Sequence, residues 1–242
     1  MKRTERHHLK ENEIERLMRQ ARDVVDSRSS QLPWVFAAVV IVGVMAIGYF
    51  AWRERVQTRA HVLLADAMAV QSARIGPPPA PGTTSSAPYF PTERERAEAA
   101  LKKFKVAADA YPSTDAGIFA RYQEGAIEMA LGKAGDADKS YREVMNHAGS
   151  SIYSQMARLG LAEAQASAGQ YDQAIDTFKE LSLRKDGSLP IDGILMQLGR
   201  TYRDAGKRSD AQQTFTRLVD EFPDSPFTSD AKKELESLKK AA

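Results

Sequence analysis

The chain has 242 residues, of which 43% are hydrophobic and 27% charged, as is ordinary for a globular protein of one or two domains. Its 34 basic and 32 acidic residues are interspersed and leave a net charge of +2, so the sequence has no basic stripe for nucleic acid. Because the sequence contains no cysteine, disulfides, thiolate metal sites and a cysteine nucleophile are excluded.

An uncharged apolar segment follows a charged N-terminal tail. Residues 1–32 place apolar side chains at helical spacing among charges of both signs, which fits a helix on the membrane surface and a weakly structured tail equally well. Residues 33–52 read PWVFAAVVIVGVMAIGYFAW and carry no charge. A helix of this length spans about 30 Å, the thickness of a bilayer's hydrocarbon core. We therefore predict a transmembrane helix that is retained, because the segment starts late for a cleaved signal peptide.

The basic residues on either side of this segment indicate its orientation. Residues 1–32 contain eight Lys or Arg residues, and residues 53–75 contain four. Since cytoplasmic flanks carry the excess of basic residues, we expect a cytoplasmic N-terminus. Within 15 residues of the span the count is three on each side, so the local balance leaves the orientation open.

Three further segments differ in character. Residues 53–75 have one apolar helical face, and residues 76–91 contain six prolines, which predicts a loop. Residues 92–242 alternate helical segments of about 12–15 residues with breaks at glycine or proline. This alternation predicts antiparallel helix pairs.

Residues 92–242 repeat with a period of 37. Ala174 recurs as alanine at 100, 137 and 211, and Phe178 recurs as an aromatic residue at 104, 141 and 215. A third apolar position recurs at 107, 144, 181 and 218, and a glycine at 132, 169 and 206. A small residue lets two helices approach closely, the aromatic fills the gap between units, and glycine ends the first helix of each pair. Such a period is typical of stacked helical repeats.

The pattern Gly-x-Tyr-x-x-Ala-x-x-x-Phe at 169–178, with Leu-Gly-x-x-Tyr at 198–202, resembles the tetratricopeptide repeat (TPR). The resemblance covers about residues 92–241 and implies an all-α solenoid of stacked two-helix units. The Trp-type position holds Arg121 and Arg158, and the Tyr-type position holds Glu128 and Gln165, so the first helices depart from the family pattern. We expect residues 53–75 to supply the missing first helix of the first unit, and the C-terminal helix to cap the solenoid.

The sequence contains no pattern typical of an enzyme. The four histidines lack the spacing of metal ligands, and neither a glycine-rich phosphate loop nor a nucleophile elbow occurs. Glu124 and Glu128 lie one turn apart, and we expect them on a solvated face where nothing raises either pKa. The prediction is a protein that is not an enzyme and uses no cofactor or metal.

Binding of a protein or peptide is the remaining function. In the TPR family the first helix of each unit lines a concave surface, and the resemblance implies that the following residues lie there: Phe119, Tyr122, Met129, Met156, Glu163, Met196, Arg200 and Arg203. Aromatic and methionine side chains beside arginines suit an extended or helical peptide. Alternatively, the apolar residues pack between repeats and the arginines are simply solvated.

The order of a tail beginning MKRTERHHLK, a single span and TPR units resembles the single-pass TPR proteins that are ancillary to the bacterial Sec translocon. That resemblance implies an inner-membrane protein with periplasmic repeats. It also implies the translocon and periplasmic chaperones as partners in handling exported chains. The alternative is a scaffold for envelope assembly or cell division, because repeat motifs specify the fold and not the partner.

Overall fold

The computed structural model describes Met18 and residues 32–77, 88–184 and 189–240. It divides into two compact units, Met1–Arg55 and Val56–Ala242. Within the described ranges it contains nine helices and one ladder of two short strands. The predicted all-α class is thereby confirmed. The pattern predicted for the N-terminal tail falls, apart from Met18, outside the described residues.

The first helix, α1, runs from Leu32 to Gln71 and contains the predicted span 33–52. It is long and apolar enough to cross a membrane, and none of the side chains in its most apolar window is buried. Trp34, Phe36 and Phe50, for example, are 78%, 71% and 63% exposed. A continuous apolar surface of this kind is expected of a helix surrounded by lipid.

The helix predicted over 53–75 ends at Gln71, four residues early, because the following residues enter a β-ladder. Strand β1 (Arg74–Ile75) pairs in parallel with β2 (Tyr89–Phe90), and the N–H of Gly76 donates to the Phe90 carbonyl at 3.0 Å. Parallel strands cannot be joined by a tight turn, which is consistent with the long stretch of sequence between these two. Of that predicted loop, residues 78–87 lie outside the described residues.

Eight helices follow in the second unit: α2 (Glu93–Ala110), α3 (Asp115–Ala130), α4 (Ala134–Ala148), α5 (Ile152–Ser167), α6 (Tyr171–Ser182), α7 (Ile191–Asp204), α8 (Arg208–Glu221) and α9 (Thr228–Lys240). From α2 onward, each helix packs against the next along the chain. In addition, α3 contacts α5 and α5 contacts α7, as expected when two-helix units stack. The predicted TPR-like solenoid is confirmed, with α3, α5 and α7 as first helices and α2, α4, α6 and α8 as second helices.

The 37-residue period determines which side chains form the core. At all four copies of the alanine, aromatic and third apolar positions, the residue is at most 3% exposed. A Cβ atom added at Gly199 of α7 would lie 2.4 Å from the ring of Phe215 in α8. The aromatic ring of the second helix therefore packs directly on the backbone of the first helix, which only a very small residue permits.

The repeated glycines end the first helices as predicted. Gly132, Gly169 and Gly206 have φ angles of +75°, +76° and +75°, the left-handed conformation that glycine adopts without a Cβ penalty. The N–H of the residue after each glycine donates to the carbonyl five residues earlier, at 2.8 Å in all three copies. These bonds satisfy helix carbonyls that otherwise lack a partner, and they turn the chain into the second helix.

Within the compact unit Val56–Ala242, the segment 56–71 of α1 packs against α2. Ala67 and Val70 belong to the same buried cluster as Ala100 and Phe104 of α2. The Asp66 carboxylate also forms an ion pair with Lys103 of α2, at 2.7 Å. These contacts join the segment to the repeat domain, and its role as the first helix of the first repeat stays a prediction.

Candidate protein-binding surface

The predicted binding residues lie on three first helices, and all but one are partly exposed. Phe119, Tyr122 and Met129 are on α3, Met156 and Glu163 on α5, and Met196, Arg200 and Arg203 on α7. Met196 is 1% exposed, so its placement on a surface is wrong. Residues 194–196 of α7 are all buried in one cluster, which also includes residues of α6, α8 and α9. Helices packed around α7 cover the face to which the repeat pattern assigned Met196.

Two pairs of aromatic rings link neighbouring helices at this surface. The rings of Phe119 and Tyr153, on adjacent first helices, have centroids 5.9 Å apart. The ring centroids of Tyr122 and of the buried Tyr141 of α4 lie 5.8 Å apart. Distances of this size are favourable for tilted aromatic pairs. Tyr153 was not among the predicted residues, although it lies three residues before Met156 on the same helix face.

Glu163 is a partly exposed carboxylate close to these rings. Burial raises its pKa above the ordinary range for a glutamate. Burial also raises the pKa of the Tyr122 and Tyr141 hydroxyls, and the nearby charge of Glu163 raises both further. Glu163 lies one helical turn after Gly160 of α5, where an added Cβ atom would be 2.5 Å from the Tyr141 ring, and the Tyr122 and Tyr141 ring centroids are 5.8 Å apart.

The predicted solvated pair Glu124 and Glu128 is buried instead, 3% and 7% exposed. Burial raises the pKa of both carboxyls, so the expectation that nothing would perturb them is wrong. The reason is that α3 is enclosed by helices on more than one side. Glu128, at the Tyr-type position, accepts a hydrogen bond from Ser140 at 2.7 Å, and Glu124 pairs with Arg121.

Arg121, at the Trp-type position, joins three helices through carboxylates. Besides Glu124 on its own helix, it contacts Asp109 of α2 and Glu143 of α4. Its side chain is only 13% exposed, so these ion pairs are screened less than surface ones. Three ion pairs of one arginine therefore replace the aromatic packing that the family pattern places at this position.

The two arginines of α7 already have a partner within the chain. Arg203 donates to Glu234 of α9 at 2.6 Å, and Arg200 lies 3.9 Å from the same carboxylate. Arg203 also pairs with Asp204. This end of the predicted surface is therefore largely neutralised by the C-terminal helix, and it differs from the aromatic region around Tyr122.

A cavity of about 570 Å³ lies apart from the predicted residues, in the first repeat unit, where Ala97, Ala100 and Ile127 contribute to its wall. In the described ranges, no three His, Asp or Glu side chains are grouped so that they can hold a metal ion.

Comparisons with known proteins agree with this architecture. A family profile described as tetratricopeptide repeat-like domain matches residues 31–188, a range that includes the whole of α1. The profile of YfiO, an outer membrane lipoprotein family, matches residues 179–242. No curated protein matches the chain.

Two crystal structures of nearly identical TPR-like repeats, from a Podosopora anserina protein described as a kinesin light chain, are similar to the chain. One is a single-residue variant; the two are 13% and 12% identical to this chain, with TM-scores of 0.57 and 0.56. Each comparison covers 76% of this chain and 87% of the other. At this identity the likeness concerns the fold alone. Since its profile matches well over half of the residues, the chain belongs to the tetratricopeptide repeat-like domain family.

Proposed function

We propose that the chain is a membrane-anchored scaffold that binds protein segments on the surface formed by its first helices. Its role is binding and not catalysis. The observation that carries the proposal is the aromatic contact between two repeat units at a partly exposed surface, where the ring centroids of Phe119 on α3 and Tyr153 on α5 lie 5.9 Å apart. Aromatic side chains are enriched among the residues that contribute most to protein recognition.

The membrane anchor is the apolar part of α1. We propose an inner-membrane protein whose N-terminus is cytoplasmic and whose repeats are periplasmic, in agreement with the excess of basic residues before the span. Protease added to spheroplasts tests this orientation. Digestion of the repeat domain supports it, whereas full protection of that domain contradicts it.

For the cellular role we propose an accessory of the Sec translocon that, with periplasmic chaperones, handles newly exported chains. Support comes from the order of tail, span and repeats, and from a family match that covers α1 together with the repeats. A membrane anchor keeps the binding surface attached to the membrane across which the chains are exported. The high effective concentration of a tethered surface lets weak binding suffice.

The second candidate is a scaffold for assembly of the bacterial envelope. It is favoured by the match of residues 179–242 to an outer membrane lipoprotein family. This match covers α7, α8 and α9, where Arg203 and Glu234 join the last repeat to the terminal helix. The two candidates differ in their partners and not in the fold.

Site-specific photo-crosslinking in cells distinguishes them. A photoreactive amino acid replaces Phe119 or Met156 on the candidate surface, and Lys139 of α4, whose side chain is 75% exposed, serves as the control position. Cross-links to translocon subunits that are specific to the first two positions support the Sec role. Specific cross-links to outer-membrane assembly proteins support the second candidate. If the candidate positions give the same products as Lys139, this surface is not the binding surface.

A further inference from the structure

Glu163 differs from the other shielded glutamates of the first helices and the terminal helix. Glu124, Glu128 and Glu234 each accept a hydrogen bond from a neighbouring side chain. In the described part of the chain, Glu163 has neither a hydrogen bond nor an ion pair. A partly buried carboxylate loses hydration, and without a partner nothing compensates for that loss.

Glu163 lies beside two tyrosine rings, because it follows Gly160 by one helical turn and an added Cβ atom at Gly160 would be 2.5 Å from the Tyr141 ring. The charge of Glu163 raises the pKa of the Tyr122 and Tyr141 hydroxyls, in agreement with this placement. The two tyrosine rings lie 5.8 Å apart, and Tyr122 is partly exposed. The faces of aromatic rings attract cations, most strongly where water is partly excluded. A carboxylate and a ring face at one place form a receptor for a positive charge.

We propose that Glu163 and Tyr122 bind the positively charged side chain of a lysine or arginine in a bound protein segment. This inference rests on the proposed function and names the chemistry of its partner. A long basic side chain reaches into the surface and supplies the cation that Glu163 lacks, while its stem packs on the tyrosine ring. An acidic segment meets repulsion from the same carboxylate.

The second ring pair sets a spacing for the bound segment. Tyr153, which contacts Phe119, precedes Glu163 by ten residues on the same helix. Ten helical residues rise about 15 Å, a distance that an extended chain covers in about four or five residues. A segment with an apolar residue four positions from its basic residue therefore engages both places, because side chains four positions apart lie on the same face of an extended chain.

The test measures binding of three fluorescent peptides to the full-length chain in detergent micelles. Each peptide is a twelve-residue Ser/Gly chain with a leucine and, four positions later, arginine, neutral citrulline or glutamate. The wild-type chain should bind the arginine peptide about fivefold more tightly than the citrulline peptide, or better, and the glutamate peptide most weakly. In Glu163→Gln, the ratio between arginine and citrulline should fall close to one.

Glu236→Gln is the matched control, because it removes the same charge from an exposed position of α9. Glu236→Gln should keep the wild-type ratio between arginine and citrulline peptides. A melting temperature of Glu163→Gln at or above that of the wild type shows that this variant is folded. A preference for arginine that persists in Glu163→Gln overturns the inference. If the wild type binds the arginine and citrulline peptides equally but position 119 still gives specific cross-links, the basic-residue inference is wrong while the proposed function stands. If neither peptides nor specific cross-links are found, the proposed function fails as well.

Discussion

The close packing of Tyr141 gives the sharpest test of the repeat architecture. Its ring is 3% exposed and contacts the backbone of two first helices. A Cβ atom at Gly160 of α5 would lie 2.5 Å from the ring, and one at Gly125 of α3 would lie 2.9 Å from it. Carbon atoms do not approach each other this closely without repulsion. The substitution Gly160→Ala therefore forces the ring or the helix to move.

Two opposing effects set the size of the change. Overpacking of a filled core costs about 1–3 kcal/mol. Replacing a helical glycine by alanine recovers up to about 1 kcal/mol of helix propensity. Gly135→Ala in α4 separates the two effects, because nothing lies within 4 Å of its added methyl. We expect Gly160→Ala to be less stable than Gly135→Ala by about 1–3 kcal/mol, the overpacking term alone.

Thermal unfolding of the full-length chain, followed by circular dichroism, measures this difference. For a domain of this size, each kcal/mol shifts the melting temperature by about 2–4 °C. A double-mutant cycle with Tyr141→Ala identifies the cause, since Gly160→Ala should cease to be destabilising once the ring is absent. Equal melting temperatures for Gly160→Ala and Gly135→Ala refute the reasoning. So does a penalty that persists in the Tyr141→Ala background.

Three further predictions concern charge and backbone. Arg121→Met leaves Glu124 buried without its cation and should lower the free energy of unfolding, measured in urea at pH 7, by about 3 kcal/mol. The control Arg142→Met removes an exposed arginine and should cost under about 1 kcal/mol. Equal losses for the two variants contradict a stabilising role for the Arg121 ion pairs. Burial raises the folded-state pKa of Glu163, so its charged form disfavours folding as the pH rises. Glu163→Gln should then gain in melting temperature over the wild type from about pH 4 to pH 7, and a constant difference contradicts this. Gly206→Ala should lower the free energy of unfolding by about 1–2 kcal/mol through left-handed backbone strain alone, because the added Cβ atom has no neighbour within 4 Å. An unchanged melting temperature contradicts this prediction.

Much of the fold follows from spacing within the chain. Burial of Ala174 and Phe178 at every repeat and the left-handed glycines that end the first helices were predictable, because helix geometry converts a period into a face. The candidate surface was only partly predictable. Phe119 and Tyr122 are partly exposed on α3, whereas Met196 is in the core. A side chain on a first helix can face the candidate binding surface or pack against a neighbouring helix, and its place in the repeat pattern does not distinguish the two.

The sequence by itself determined an apolar helix long enough for a bilayer, a 37-residue helical repeat and its aromatic core, since each depends on local composition or fixed spacing. Only the tertiary structure decided the environment of charged groups. Glu124 is buried and paired with Arg121, Arg203 is joined to Glu234, and Glu163 has no such partner in the described chain. Desolvation and pairing depend on residues that are distant in sequence, so no local pattern could separate a paired carboxylate from one without a partner.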